Sequence, residues 1–265
     1  MTTSQVTAGQ MIEVNGANLY VEEHGEGAPV VLAHGGLMSS ASWAGVVPAL
    51  AGQFRVITFD TRGHGRSTNP AGKLGYEMIA DDIAALCQTM KLDHPFIGGW
   101  SDGGEFALQI GTRHPGLARG LIAGGTSLEL GTEKARADMR AFFNVGPDAR
   151  VDFDAFAAGI GAMLLPMMRQ AHPNGEAHWQ GIVQQSADMW IGYAGLTTEQ
   201  LQKIDAPVLV IAGDRDQFVP CEELTRLYRS LPTAELAILP GTDHFVPLTK
   251  PDSFARTITD FLGRN

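Results

Sequence analysis

A chain of 265 residues, 44% hydrophobic and 18% charged, carries enough apolar material for one sizeable core, which excludes a disordered or collagen-like polymer. A formal charge of -10, with no run of Lys or Arg to offset it, repels phosphate backbones and anionic lipid heads, so neither nucleic acid nor a membrane is expected as a partner. Residues 1–10 show no basic patch followed by an apolar core, and no stretch approaches eighteen apolar residues. The expectation is a cytoplasmic monomer or homodimer acting on a small molecule.

Taken in chain order, residues 11–14 and 19–23 flank Asn15-Gly16 and predict an N-terminal hairpin. Short apolar runs follow at 29–34 (PVVLAH) and 54–60 (FRVITFD). Ile79, Ile83, Leu86 and Met90 then repeat at helical spacing. Residues 95–100 form the next strand, and 120–125 a weaker one. From about 128 to 200 the strand rhythm breaks, and Phe142, Phe143, Met163, Leu164, Leu165, Met167, Met168, Trp179 and Trp190 suggest helices laid over a sheet as a cap. Strands resume at 207–213 (PVLVIAG) and 234–240, and Phe254, Ile258, Phe261 and Leu262 mark a last amphipathic helix. Strands alternating with helices predict an α/β fold with a mostly parallel central sheet. No linker divides the chain, so 1–265 is expected to be one domain with its core at about 1–127 and 201–265. Cys87 and Cys221 are too few for a disulfide framework and are expected to be free thiols.

The informative stretch is Gly99-Trp100-Ser101-Asp102-Gly103-Gly104, which fits G-x-S-x-G at the junction of a predicted strand and helix. A serine on so sharp a turn needs small neighbours, and the three glycines supply them. The following helix aims its N-terminal amides at any oxyanion formed there. A serine hydroxyl needs a base, and among eight histidines His244 lies in a loop straight after the last strand, at the sheet edge that carries sites in such folds. His34 and His64 sit in glycine turns and are expected to be structural. His24, His94, His114, His172 and His178 are expected on the surface or in loops. The base needs a carboxylate to hold its tautomer, and Asp214 and Asp216 both follow the preceding strand. Asp216 is favoured, because Asp214 directly follows the strand-ending glycine and can instead brace the loop.

The chain order Ser101, Asp216, His244 is that of one serine-hydrolase architecture and excludes the chymotrypsin and subtilisin orders. His34-Gly35-Gly36-Leu37 after the first central strand predicts the second half of an oxyanion hole, with the backbone amides of Gly36 and Asp102 as donors. Leu37, Trp100, Asp102, Met163, Met167, Trp190 and Phe245 are candidates for contact with substrate. The cap's methionines and aromatics can equally serve only to pack it onto the sheet. No metal spacing, Rossmann fingerprint or Walker A pattern occurs, and neither a cofactor nor a metal is expected.

With these residues assembled, the chain resembles the α/β-hydrolase superfamily over nearly its full length. The resemblance rests on His34-Gly35-Gly36, the stretch from Asp60 through Arg62-Gly63-His64-Gly65 to Ser67, the serine elbow, Asp216 with Val219-Pro220, and His244. It implies the α/β-hydrolase fold with a helical cap and hydrolysis of a small carboxylic ester, lactone or thioester through an acyl-serine. Carbon–carbon hydrolysis, cofactor-free peroxidase or oxygenase activity and non-catalytic ligand sensing stay open beside it. The elbow's spelling is also similar to that of valacyclovir hydrolase-like (biphenyl hydrolase-like) proteins, which implies that Asp102 reads a substrate ammonium. From the residues alone, Asp102 is a first-turn carboxylate complementing the helix dipole.

Overall fold

A computed structural model describes residues 9–265, and of residues 160–164 only the backbone. Among the described residues the strands are β1 (Gln10–Val14), β2 (Ala17–His24), β3 (Ala28–Ala33), β4 (Phe54–Phe59), β5 (Phe96–Trp100), β6 (Gly120–Gly124), β7 (Val208–Gly213) and β8 (Ala234–Leu239). They form one sheet in the order β1-β2-β4-β3-β5-β6-β7-β8. β2 runs antiparallel to both β1 and β4, and every later pair is parallel. The helices are α1 (Val47–Leu50), α2 (Tyr76–Thr89), α3 (Asp102–Arg113), α4 (Glu133–Phe142), α5 (Phe153–Ala171), α6 (Glu176–Gly192), α7 (Thr198–Leu201), α8 (Cys221–Ser230), α9 (Val246–Thr249) and α10 (Pro251–Arg264). The α/β class and the mostly parallel sheet expected from the sequence are what is found.

The central strands are buried on both faces, as parallel strands between helical layers must be: FIGGW in β5, GLIAG in β6 and VLVIAG in β7 are buried at every position. The amphipathic helices close those faces. Phe254, Ile258, Phe261 and Leu262 of α10 are all buried, and Phe254 stacks on Trp43 with ring centroids 6.0 Å apart. Each such burial contributes about 1.5–3 kcal/mol. Parallel register pairs Ala33 with Gly99 and Trp100 with Gly124, so the C-terminal ends of β3, β5 and β6 lie along one edge. The loops bearing Gly36, Ser101, Asp216 and His244 all leave the sheet there.

Helices α4 to α7 occupy the connection between β6 and β7. They bring their own apolar cluster, with Phe143, Val151, Phe156, Met168, Trp179, Ile182, Val183 and Ala187. One member comes from elsewhere: Leu37, in the loop after β3, is fully buried in that same cluster. Cys87 is buried on α2, Cys221 begins α8, and both are free thiols. Among the described residues no helix is long and apolar enough to cross a membrane.

One of the histidines expected on the surface or in loops does lie in a loop, yet is buried. His172, at the end of α5, is buried because it lies in a row of imidazoles running from the core to the inserted helices. Ring centroids are 5.2 Å apart for His34 and His64, 5.6 Å for His64 and His172, and 6.2 Å for His172 and His178. His172 Nδ1–H donates to the Met168 carbonyl at 2.8 Å, while its Nε2 is buried with no partner among the described residues. Burial holds this imidazole down to about 4, with His34 and His178 pushing the same way. A folded-state value below the unfolded one of about 6.5 means that the unfolded chain binds the extra proton, so this contribution to stability is present above pH 6.5 and is lost as pH falls toward 4. The loss is roughly 3 kcal/mol. Wild type should therefore lose about that much more stability than the non-titrating H172Q between pH 7 and 4, measured by urea unfolding. Parallel pH profiles of the two proteins would show that His172 does not titrate in this way.

Candidate active site

Ser101 is the junction between β5 and α3, at φ 58° and ψ −118°, a left-handed φ that costs a non-glycine residue about 1–3 kcal/mol. Its surroundings hold that geometry. The Ser101 amide donates to the Gly124 carbonyl at 2.8 Å, and its carbonyl accepts from Gly104 N at 2.9 Å and Glu105 N at 3.2 Å. The elbow glycines are needed for space, since a Cβ at Gly99 or Gly103 would overlap the Ala33 carbonyl oxygen and one at Gly104 the Gly124 carbonyl oxygen. Both obstacles are backbone and cannot swing aside. In G103A the clash, about 3 kcal/mol, outweighs the helix-propensity gain of about 1 kcal/mol. A net loss of about 2 kcal/mol should lower Tm by roughly 4–8 °C in calorimetry. An unchanged or raised Tm would contradict the packing argument.

His244 follows β8, and its loop is tied to the elbow by Trp100, whose indole Nε1–H donates to the His244 carbonyl at 2.6 Å. Trp100 itself lies where a side chain on Gly124 or Gly125 would stand. The His244 ring meets Asp216, with Nδ1 2.8 Å from Oδ2 and 3.0 Å from Oδ1. A carboxylate can only accept from Nδ1–H, which leaves Nε2 as the ring's acceptor. The Asp216 carboxylate is fully buried, and its Oδ1 also takes the amides of Phe218 and Val219, each at 2.9 Å. Asp214 is exposed and points to the other loop, where its Oδ1 accepts from Thr242 N at 3.0 Å. That hydrogen bond holds its carboxyl below the usual range.

Ser101 and His244 line one cavity with about 70 Å³ of room. Its other walls are Gly35, Gly36, Met38, Ser42, Trp43, Trp100, Met168, Phe245, Pro247 and Leu248. Gly36 is brought beside the elbow by the turn that His34 fixes: its Nδ1–H donates to Gly35 O at 2.8 Å and its Nε2 accepts from Thr61 N at 3.0 Å. Among the described residues neither the Gly36 nor the Asp102 amide has a protein acceptor.

Of the residues expected to contact substrate, Trp100 and Phe245 are on the cavity wall. Leu37 is absorbed in the inserted helices' cluster, and Met167, Trp190 and the Asp102 side chain are not on that wall. The side chain of Met163 lies outside the described residues. Asp102 is buried, with Oδ1 accepting from the Tyr76 hydroxyl at 2.7 Å and Oδ2 from the Trp190 indole at 2.9 Å. Met38, Ser42, Trp43, Pro247 and Leu248 went unnoticed in the sequence, and Met168 was read there only as one of the cap's apolar residues. Pro247 and Leu248 had a signal, standing just after His244. Nothing local distinguished Met168 from its neighbouring methionines.

The model of the alpha/beta hydrolase family matches residues 30–257. The chain belongs to that family. Among its relatives, a 2-(acetamidomethylene)succinate hydrolase from Mesorhizobium japonicum is 27% identical over 263 residues, covering 95% of this chain and 94% of that one. A 2-hydroxy-6-oxo-2,4-heptadienoate hydrolase from Pseudomonas putida is 26% identical and covers 99% of each chain. A thermophilic esterase from Thermogutta terrifontis superposes with a TM-score of 0.78 at 26% identity, covering 98% of both chains. Fold and family thus agree over residues 30–257, and the α/β-hydrolase fold expected from the elbow and its companions is the fold of this protein.

Proposed function

We propose that this α/β hydrolase cleaves small, neutral carboxylic esters through an acyl-Ser101 intermediate. The observation that carries the reading is a single cavity holding Ser101 and the Asp216-bound His244, whose remaining walls bear no charged side chain among the described residues. Ser101 Oγ attacks the ester carbonyl as its proton passes to His244 Nε2, and the resulting oxyanion takes the Gly36 and Asp102 amides. Each such donor typically lowers the barrier by about 3–4 kcal/mol. The imidazolium then gives its proton to the departing alkoxide. Water, deprotonated by His244, attacks the acyl-serine, which releases the acid and returns the proton to Ser101.

Helices α4 to α6 act in this reading as a cap that contributes Met168 to the wall, while, among the described residues, the loops around Trp43 and α9 supply most of the pocket. A neutral wall stabilises no substrate carboxylate, so desolvating one there would be uncompensated. The expected result is that kcat/KM is highest for short p-nitrophenyl esters such as acetate and butyrate. It should fall at octanoate and fall at least tenfold for an acyl chain of matched length ending in a carboxylate, where the uncompensated charge is worth more than about 1.4 kcal/mol. Preference for the carboxylate-bearing ester would remove the neutral-substrate reading.

A further inference from the structure

The elbow's Asp102 is spoken for by the protein rather than left for a ligand. Its carboxylate is buried beneath the insertion, both oxygens accept from neutral donors, and it does not reach the cavity wall. The donor on Oδ2 is Trp190 of α6, and the donor on Oδ1 is Tyr76 of α2. Trp190 in turn lies directly over Gly36. A Cβ on Gly36 would overlap the indole Cζ2 and would come within 2.7 Å of Asp102 Oδ2 and 3.1 Å of Cη2. The same indole packs on Phe143 at 5.0 Å and Phe142 at 6.0 Å between ring centroids.

We propose that the Asp102 side chain is a positioning residue, a latch that holds Trp190 of the inserted helices against Gly36 and thereby fixes the oxyanion donor on which ester cleavage depends. The inference rests on the ester-hydrolase reading for its kinetic consequence. It replaces the ammonium-reading role implied by the elbow's spelling with one directed at the chain's own indole. Aspartate suits the task because one carboxylate can accept from Trp190 and Tyr76 together, tying α6, α2 and the start of α3 at a single point. The indole has one donor and no acceptor, and in its half-buried stack with Phe142 and Phe143 the Asp102 carboxylate is the acceptor that donor meets. Gly36 has no side chain to keep the indole away, and its close approach is what converts an anchored Trp190 into an anchored loop.

The test compares D102A, D102N and W190F with wild type in kinetics and in the NMR signal of the Trp190 indole N–H, identified by its loss in W190F. Asparagine keeps an oxygen for the indole and can donate its amide to the Tyr76 oxygen, whereas alanine offers neither, and phenylalanine at 190 removes the donor together with the ring atoms that lie over Gly36. A displaced oxyanion donor affects the transition state alone, so kcat should fall about 10- to 100-fold in D102A and in W190F with KM little changed. The double variant should be no worse than either single one, and D102N should recover most of the loss. Wild-type activity in W190F, or loss in D102N equal to that in D102A, would overturn the latch. The NMR arm needs no turnover. Burial raises the Asp102 carboxyl to about 6, against the opposing pull of Tyr76, Trp190 and His244, and Glu105 is the neighbouring acid on α3. The indole signal should therefore titrate near pH 6 in wild type and stay flat in D102N. An indole signal with the same chemical shift in D102A as in wild type would break the inferred contact even if the protein hydrolyses no ester at all.

Discussion

Replacing Ser101 by alanine is expected to remove ester turnover, with kcat falling by about a millionfold. The size follows from what a triad serine does: without Oγ no acyl-enzyme forms, and only the oxyanion donors and binding remain, worth about a thousand- to ten-thousandfold over water. The protein itself should be undisturbed. Ser101 stands at a φ of 58°, held by backbone bonds to Gly124, Gly104 and Glu105 rather than by its hydroxyl, so S101A should fold and melt like wild type. Parallel assays with p-nitrophenyl esters of graded length, beside a melting curve for each protein, check both halves. Turnover surviving in S101A would displace the nucleophile from this residue. Inactivity in both proteins would turn attention to carbon–carbon cleavage, oxygen chemistry or ligand sensing.

D216N should cost about ten-thousandfold in kcat while leaving the fold intact. The hydrogen bonds around Asp216 dictate why. Oδ1 holds the Phe218 and Val219 amides, so an asparagine places its oxygen there and turns its NH2 toward His244 Nδ1. A donor facing Nδ1 forces the imidazole proton onto Nε2, the nitrogen that must accept from serine, and the base is held in the wrong tautomer. By contrast D214N, whose parent carboxylate is exposed and braces Thr242, should stay within a fewfold of wild type. Equal losses in the two variants would mean that Asp216 acts only as a loop brace.

These expectations rest on features of unequal legibility. The strands were readable because a parallel strand covered on both faces is a continuous apolar run, as in VLVIAG of β7, and the hairpin because Asn15-Gly16 supplies the two positive φ angles that its turn requires. The elbow was readable because its three glycines answer a local demand, the approach of α3 to the Ala33 and Gly124 carbonyls. In each case the constraint acts between residues close in sequence or on a single element. The amino-acid sequence by itself therefore determined the element order, the fold class and the positions of Ser101 and His244 at one edge of the sheet.

Tertiary structure decided what depends on direction. Asp214 and Asp216 follow the same strand, yet only the path of the two loops, stitched through Asp214, Arg215 and Thr242, turns Asp216 inward to His244 and leaves Asp214 outside. The apolar face of α6 repeats at helical spacing through Trp179, Ile182, Val183 and Ala187, but the pattern does not say what that face meets, and α5, apolar on several sides, has no periodicity to say which side meets the core. Met168 thus reaches the cavity, Trp190 reaches Asp102 instead, and His172 is buried in a row of imidazoles drawn from distant parts of the chain. Local pattern records that a side chain wants burial or a partner. Which burial and which partner are set by contacts between segments tens of residues apart, 88 in the case of Asp102 and Trp190.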